Sequence, residues 1–319
     1  MLIPVILFII GLCFLIKGGD WFVDGASGIA YRFHIPEILV GATIVSIGTT
    51  LPEVMVSATS AISGHGEIAY GNAIGSVICN TALIAALTVA IRPPKVDKDT
   101  LKTPVIFFFL AAAIYAAVAY VSGVFSRPVG MTLLVVFVIY LFVTVRQVKT
   151  EPQSHREEKN DSESSMVKEL VLLVVGAILI AIGAKLLVDN GTLIAQGLGV
   201  PESVIAITFV ALGTSLPELV TAITALVKGR SALSLGNIIG ANCFNLVLVS
   251  GVSTVLSPFS VPGSKMIAGV NSSLVVDIPF MFFVMAFLTL PAMIRGKLSR
   301  IQGFVLLITY AAFCVYQFA

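Results

Sequence analysis

Residues 43–53 read TIVSIGTTLPE and residues 208–218 read TFVALGTSLPE. Each places a proline and a glutamate, Pro52 with Glu53 and Pro217 with Glu218, inside a run that is otherwise apolar or small. The flanks of the first copy, IPEILVGATIV and MVSATSAIS, have the composition of a membrane helix. The two glutamates stand 165 residues apart. The same offset relates Asp24 to Asp189, Pro36 to Pro201, Gly48 to Gly213, Gly71 to Gly236, Asn72 to Asn237, Gly75 to Gly240 and Asn80 to Asn245. No gap is needed, and chance apolar similarity does not keep polar and glycine residues in register. The chain is an internal duplication.

Composition sets the solvent. The 319 residues are 57% hydrophobic and 11% charged, with a mean hydropathy of +1.03. Soluble domains carry about 25% charged residues, so there is too little polar side chain to cover a soluble globule. Ten apolar runs have the length that crosses a bilayer: 2–19, 37–63, 68–91, 102–122, 128–147, 167–186, 202–227, 231–256, 271–294 and 299–317. The N-terminal run lacks a basic leader region and reads as the first span rather than a signal peptide. The net charge of +2 lies in loops and forms no patch for nucleic acid. Cys13, Cys79, Cys243 and Cys314 fall in apolar stretches without metal-ligand spacing.

The hydrophilic stretch 150–165, TEPQSHREEKNDSESS, reads as a disordered cytoplasmic linker. It separates a first repeat, residues 1–149, from a second, 166–319. The expected fold is therefore an all-α polytopic membrane protein of ten transmembrane helices in two five-helix repeats. An odd number of spans per half makes the second repeat enter the membrane from the opposite side, an inverted topology. With the N-terminus outside, sixteen basic residues fall on the cytoplasmic side and only Arg127, Lys185 and Lys265 outside. That bias puts both termini outside a cytoplasmic membrane.

A carboxylate at the centre of a membrane helix costs about 2.5–3.5 kcal/mol, so it faces a partner or a wet cavity. Here helix breakers surround it: Gly48 and Pro52 flank Thr49 and Thr50, and Gly213 and Pro217 flank Thr214 and Ser215. Proline frees the carbonyl about four residues earlier, so both spans are expected to unwind there, exposing carbonyls near Ser46 and Ala211. Carbonyls, hydroxyls and one carboxylate per repeat form the all-oxygen surroundings that hard cations take. The partner segments GNAIGSVICN (71–80) and GNIIGANCFN (236–245) carry glycines at i, i+4, the spacing for close helix approach. Ser76, Asn80 and Asn245 are expected to project from them toward the glutamates. Asn72 and Asn237 are equally compatible with simple bonding across helices. Asp24 and Asp189 suit a structural or gating role, and Asp277 has no acidic counterpart, since its offset lands on Ala112.

Two copies of G-T-[ST]-L-P-E, each followed by G-N-x-x-G-[SA], make the chain resemble the sodium/calcium exchanger branch of the calcium/cation antiporter superfamily. The resemblance covers essentially the whole chain. It implies a Ca²⁺ site built on Glu53 and Glu218 with Thr49 and Thr214, and two flanking Na⁺ sites. The inner one would use the Ser46 carbonyl, Thr49, Ser76 and Glu53; the outer one the Ala211 carbonyl, Thr214 and Glu218. Asn80 and Asn245 match the family's positions on spans three and eight, and spans one and six its sliding pair. Two departures matter. Ala241 stands where the family usually repeats a serine, and Asn245 replaces the aspartate of the potassium-dependent exchangers. Glycine at 75 and 240, where proton-coupled relatives carry an acidic residue, favours sodium.

The implied activity is Na⁺/Ca²⁺ antiport by alternating access, the ions being substrates and no cofactor being involved, in a monomer held by the lipid bilayer. Proton-coupled calcium exchange is the alternative within the superfamily. An intramembrane enzyme would want HExxH or paired catalytic aspartates, and no histidine lies in a span. A passive channel fits duplicated broken helices with charged centres less well than alternating access does.

Overall fold

The computed structural model describes residues 2–150, 165–198, 213–263, 266–267 and 269–318. Nearly all of them are helical. Among the described residues, eight helices are long and apolar enough to cross a membrane: α1 (Leu2–Arg32), α2 (Glu37–Ile62), α3 (Gly66–Ile91), α4 (Lys98–Val121), α5 (Arg127–Gln147), α6 (Met166–Ile194, continuing to Gly197), α8 (Ser231–Leu256) and α9 (Ser273–Arg295). The shorter apolar α7 (Leu216–Val227) precedes α8, and α10 (Arg300–Phe318) follows α9.

Local chemistry sets several ends. Asp97 caps α4 by accepting from the Thr100 amide at 3.2 Å, satisfying a donor the first turn leaves free. Gly296 ends α9 in the left-handed region at φ 67°, where a side chain would clash. Loops meet in pairs. The strand β1 (Val124–Phe125), after α4, pairs antiparallel with β2 (Phe259–Ser260), after α8. At the other set of ends, Lys95 pairs with Lys297, and the Val96 amide donates to the Gly296 carbonyl at 2.9 Å.

α3 and α8 are the most enclosed helices, while α1 and α6 lie at the edge with much of their aliphatic surface exposed. α1 and α6 pack along each other backbone to backbone. A Cβ added at Gly11 would lie 2.9 Å from the Gly183 carbonyl oxygen, and one at Gly183 would lie 2.8 Å from that of Gly11. Gly18 and Gly176 exchange the same contact at 2.9 and 2.8 Å. The duplication relates Gly11 to Gly176 and Gly18 to Gly183, so each glycine meets the copy of its neighbour one heptad along. At one end of this seam Arg32 clamps Glu169 through two bonds, Nε to Oε2 at 2.9 Å and Nη2 to Oε1 at 3.2 Å. Their counterparts at the other end, Gly197 and Pro4, can form no such pair.

The structure corrects two expectations. The first span does not stop at residue 19: helix continues to Arg32, so Asp20 and Asp24 lie in its body, and Lys17 sits over the Trp21 ring at 5.5 Å rather than in a loop. α2 does not unwind at Pro52. The helix Ser46–Ile62 runs through it, and the irregularity lies one turn earlier as a widened π-turn at Gly41–Val45. In the second copy Pro217 sits in the first turn of α7, where its missing N–H costs nothing. The close helix approach expected of both glycine pairs is seen at the second pair; residues 203 and 207, the counterparts of the Ile38 and Ala42 it packs on, lie outside the described residues. A Cβ at Gly236 would lie 2.1 Å from the Ile38 carbonyl oxygen and one at Gly240 2.6 Å from Ala42, whereas at Gly71 and Gly75 no described atom comes within 4 Å.

Candidate cation site

Glu53 on α2 and Glu218 on α7 are both fully buried. Their carboxyl groups face each other, and those of Glu218 also face the Thr49 and Thr50 hydroxyls. Among the described residues, none of the four carboxyl oxygens has a hydrogen-bond partner of ordinary geometry. The same holds for both polar atoms of the side chains of Asn80 and Asn245 and for the Thr50 hydroxyl. A buried polar atom left without a partner costs about 1–3 kcal/mol, more for a charged group. Such atoms stand on α2, α3, α7 and α8, and an oxygen-bound ligand would satisfy those of Glu53, Glu218 and Thr50, which face one another.

The helices are irregular at these residues. Widened π-turns run over Asn80–Ala85 in α3 and Asn245–Val249 in α8, beginning at the two asparagines that the duplication relates. Such turns recur at functional sites because they redirect side chains and carbonyls out of the regular ladder.

The hydroxyls are held across the duplication. Thr49 Oγ1 donates to Asn237 Oδ1 at 3.2 Å, and Thr214 Oγ1 donates to Asn72 Oδ1 at 3.3 Å. The offset that carries Thr49 to Thr214 also carries Asn72 to Asn237, so the two bonds are copies of each other. Ser46 Oγ donates to the carbonyls of Gly41 and Asn237 at 2.8 and 2.9 Å, leaving its own carbonyl close to Thr49. Ser76 Oγ lies 3.4 Å from Asn72 Oδ1. Ser215 is buried at the start of α7, within reach of Cys79.

The residues expected at the site thus divide plainly. Glu53, Glu218, Thr49 and Thr50 converge; Ser46 and Asn237 join Thr49, and Ser76 and Thr214 join Asn72. Ala211 lies outside the described residues. Asn72, Asn237 and Ser57, which accepts from Asn72 Nδ2 at 2.8 Å, were not among the expected site residues. Their signal was the constant spacing of 23 residues from Thr49 to Asn72 and from Thr214 to Asn237. Asp277, whose role the sequence left open, accepts from Ser273 at 2.9 Å and from Gln317 at 2.7 Å, tying α9 to α10.

The donor set is all oxygen: carboxyls, amides, hydroxyls and carbonyls. That chemistry suits Ca²⁺, with six to eight oxygen ligands, and Na⁺, and it does not suit the sulfur- and nitrogen-seeking transition metals. Two carboxylates balance one divalent ion. No cluster of three or more His, Cys, Asp and Glu side chains occurs among the described residues. Above the motif, Phe22 of α1 covers Gly48, where an added Cβ would meet its ring at 2.9 Å. The cavity of about 10 Å³ beneath it, lined by Thr49, Pro52, Ala177 and Pro217 among others, is close to the room one water needs.

Comparison with known proteins agrees with this geometry. The family model described as sodium/calcium exchanger protein matches residues 3–146 and 168–319. The chain is 34% identical to the putative antiporter CaxA of Alkalimonas amylolytica, over 100% of this chain and 98% of that one. It is 30% identical to the sodium/calcium exchanger MaX1 of Methanosarcina acetivorans, over 98% of each. Its structure is similar to that of the sodium-calcium exchanger NCX_Mj soaked without Na⁺ and Ca²⁺, with a TM-score of 0.81 and 34% identity, covering 98% of this chain and 97% of that one.

Proposed function

The chain belongs to the sodium/calcium exchanger protein family, within the calcium/cation antiporter superfamily, and from that premise we propose that it exchanges Na⁺ for Ca²⁺ across the cytoplasmic membrane. The observation that carries the proposal is the pair of buried carboxyls, Glu53 and Glu218, facing each other from duplicated motifs with no hydrogen-bond partner of ordinary geometry among the described residues. Ca²⁺ binds between the two glutamates with Thr49 and Thr214. Na⁺ takes the flanking places, with the Ser46 carbonyl and Ser76 on the inner side and the Ala211 carbonyl on the outer side. Thr50, Ser215, Asn80 and Asn245 complete the oxygen lining. Because the same carboxylates serve both ions, the two compete, and competition at a site open to one side at a time is exchange.

The proposed architecture is ten spans in two inverted repeats, with both termini outside and the 150–165 linker inside. The reciprocal contacts of Gly11 with Gly183 and of Gly18 with Gly176 support the inversion, because an antiparallel pair related by a two-fold axis makes them in duplicate. α1 and α6 are the moving unit and Phe22 the cover it carries. The protein works as a monomer without a cofactor.

Uptake of ⁴⁵Ca²⁺ into vesicles tests the coupling ion. An outward Na⁺ gradient should drive uptake at constant pH, and a pH gradient without Na⁺ should not. The reverse result would assign proton coupling, which two facing carboxyls can also support.

A further inference from the structure

We propose that Asn72 and Asn237 are the positioning residues of the cation site, each fixing the hydroxyl of a threonine in the opposite repeat so that its lone pairs face the ion. The inference rests on the site reading above and deepens it.

A hydroxyl has one hydrogen and two lone pairs. To ligate a cation it must turn the hydrogen away, and something must accept it. Thr49 has three acceptors in reach, the Asn237 amide oxygen at 3.2 Å, the Ser46 carbonyl at the longer distance of 3.5 Å, and the Glu218 carboxyl. Donation to Glu218 would turn the hydrogen into the site and occupy a carboxylate lone pair. In the structure the hydrogen goes to Asn237, across 3.2 Å. Thr214 gives its hydrogen to Asn72 in the same way at 3.3 Å. The amides thus do for hydroxyl ligands what outer-shell carboxylates do for metal-binding histidines.

The two amides are not equally held. Asn72 is anchored, its Nδ2 donating to Ser57 at 2.8 Å, and its oxygen also serves Ser76. The counterparts of Ser57 and Ser76 are Ala222 and Ala241, so Asn237 Nδ2 is buried without a partner and its oxygen serves Thr49 alone. One amide is a hub for three hydroxyls and the other is held through its oxygen alone. The threonine held by the looser amide is the one in the first repeat, and its geometry is the less well fixed of the two.

Equilibrium ⁴⁵Ca²⁺ binding to the purified protein tests this with Thr49→Val, Asn237→Leu and the double variant. The expected result is a loss of affinity of roughly ten- to a hundredfold for each single variant, with the double variant no weaker than Thr49→Val. Melting temperatures measured without Ca²⁺ should not separate Thr49→Val from the double variant. Ala222→Ser, which supplies the missing anchor, should tighten binding several-fold. Additive losses in the double variant would overturn the proposal, since Asn237 would then act other than through Thr49; so would unchanged binding in Asn237→Leu. Glu53→Gln and Glu218→Gln serve as controls. If binding survives both, the site reading itself fails and the proposal with it; if both lose binding but the cycle is additive, only the role of the amides falls.

Discussion

Lys228, at the end of α7, holds Asp24 in the body of α1 at 2.7 Å. The same ammonium group reaches Asp20 at 3.4 Å and donates to the Asp20 backbone carbonyl at 2.9 Å. Carried through the duplication, Asp20 becomes Lys185 and Asp24 becomes Asp189, which bond each other within α6 at 2.9 Å. The pair that joins two helices at one end of the molecule is spent inside a single helix at the other. In the proposed topology the joined end is cytoplasmic, where the contact would favour closure on the inside.

Lys228→Met should therefore favour inward opening. Half-exposed ion pairs contribute about 0–1 kcal/mol, which is up to roughly a fivefold change in an equilibrium. The external Na⁺ concentration for half-maximal exchange should rise within that range, while ⁴⁵Ca²⁺ binding in detergent stays close to wild type. Side-specific Na⁺ titration of oriented vesicles measures it. An unaltered external titration would mean that the pair is not part of the gate.

Glu53→Gln and Glu218→Gln should each abolish calcium exchange in a folded protein. One negative charge opposite a divalent ion at low dielectric leaves it undercompensated. Without ions, each variant should melt no lower than wild type, because it removes a buried carboxyl that has no hydrogen-bond partner of ordinary geometry among the described residues. Flux assays and thermal melts on the same preparations check both halves. Near-normal calcium flux in either variant would dissolve the site.

Ala241→Ser should lower the external Na⁺ requirement. The serine would stand four residues after Asn237, as Ser76 stands four after Asn72, and so would find an amide acceptor ready. Water can replace a missing ligand at an entropic cost of up to about 2 kcal/mol, which sets the scale of the gain. Ser76→Ala should raise the cytoplasmic requirement by a similar factor. Sodium titrations from each side separate the two; an outer titration indifferent to Ala241→Ser would remove the outer site from this position.

A cysteine at Ser154, in the 150–165 linker, should resist impermeant thiol reagents in whole cells and react in inverted vesicles. The expectation comes from the sixteen-to-three distribution of basic residues. Labelling of intact cells would reverse the orientation and, with it, which side Lys228 closes.

The sequence made the two glutamates and their common environment legible, because an exact offset carries polar residues that apolar drift would have erased. Helix ends were harder. Asp20, Asp24 and Lys17 look like the end of a membrane segment by hydropathy, yet Lys228 and the Trp21 ring receive their charges and let the helix continue to Arg32. Pro52 reads as a break because sequence shows the lost donor, whereas the helix runs through it and is irregular one turn earlier, at Gly41–Val45. The amide–threonine bonds were invisible for a different reason: both partners are uncharged, and the contact joins residues 188 and 142 positions apart. Only the repeated spacing hinted at them.

The glycine seam between α1 and α6 also makes the bilayer an input. With 31 and 32 residues and 1.5 Å of rise each, these helices are about 46–48 Å long, against roughly 30 Å of hydrocarbon. A single helix of excess length tilts independently. Two helices splinted backbone to backbone and clamped by Arg32 and Glu169 must tilt as one beam. Their outer face, with Ile6, Ile9, Ile16, Val171, Val174, Ile178 and Ile182 exposed, is in direct contact with acyl chains. Lipid chain length thereby sets the resting angle of the beam, and the turnover rate should follow the thickness of the membrane in which the protein sits.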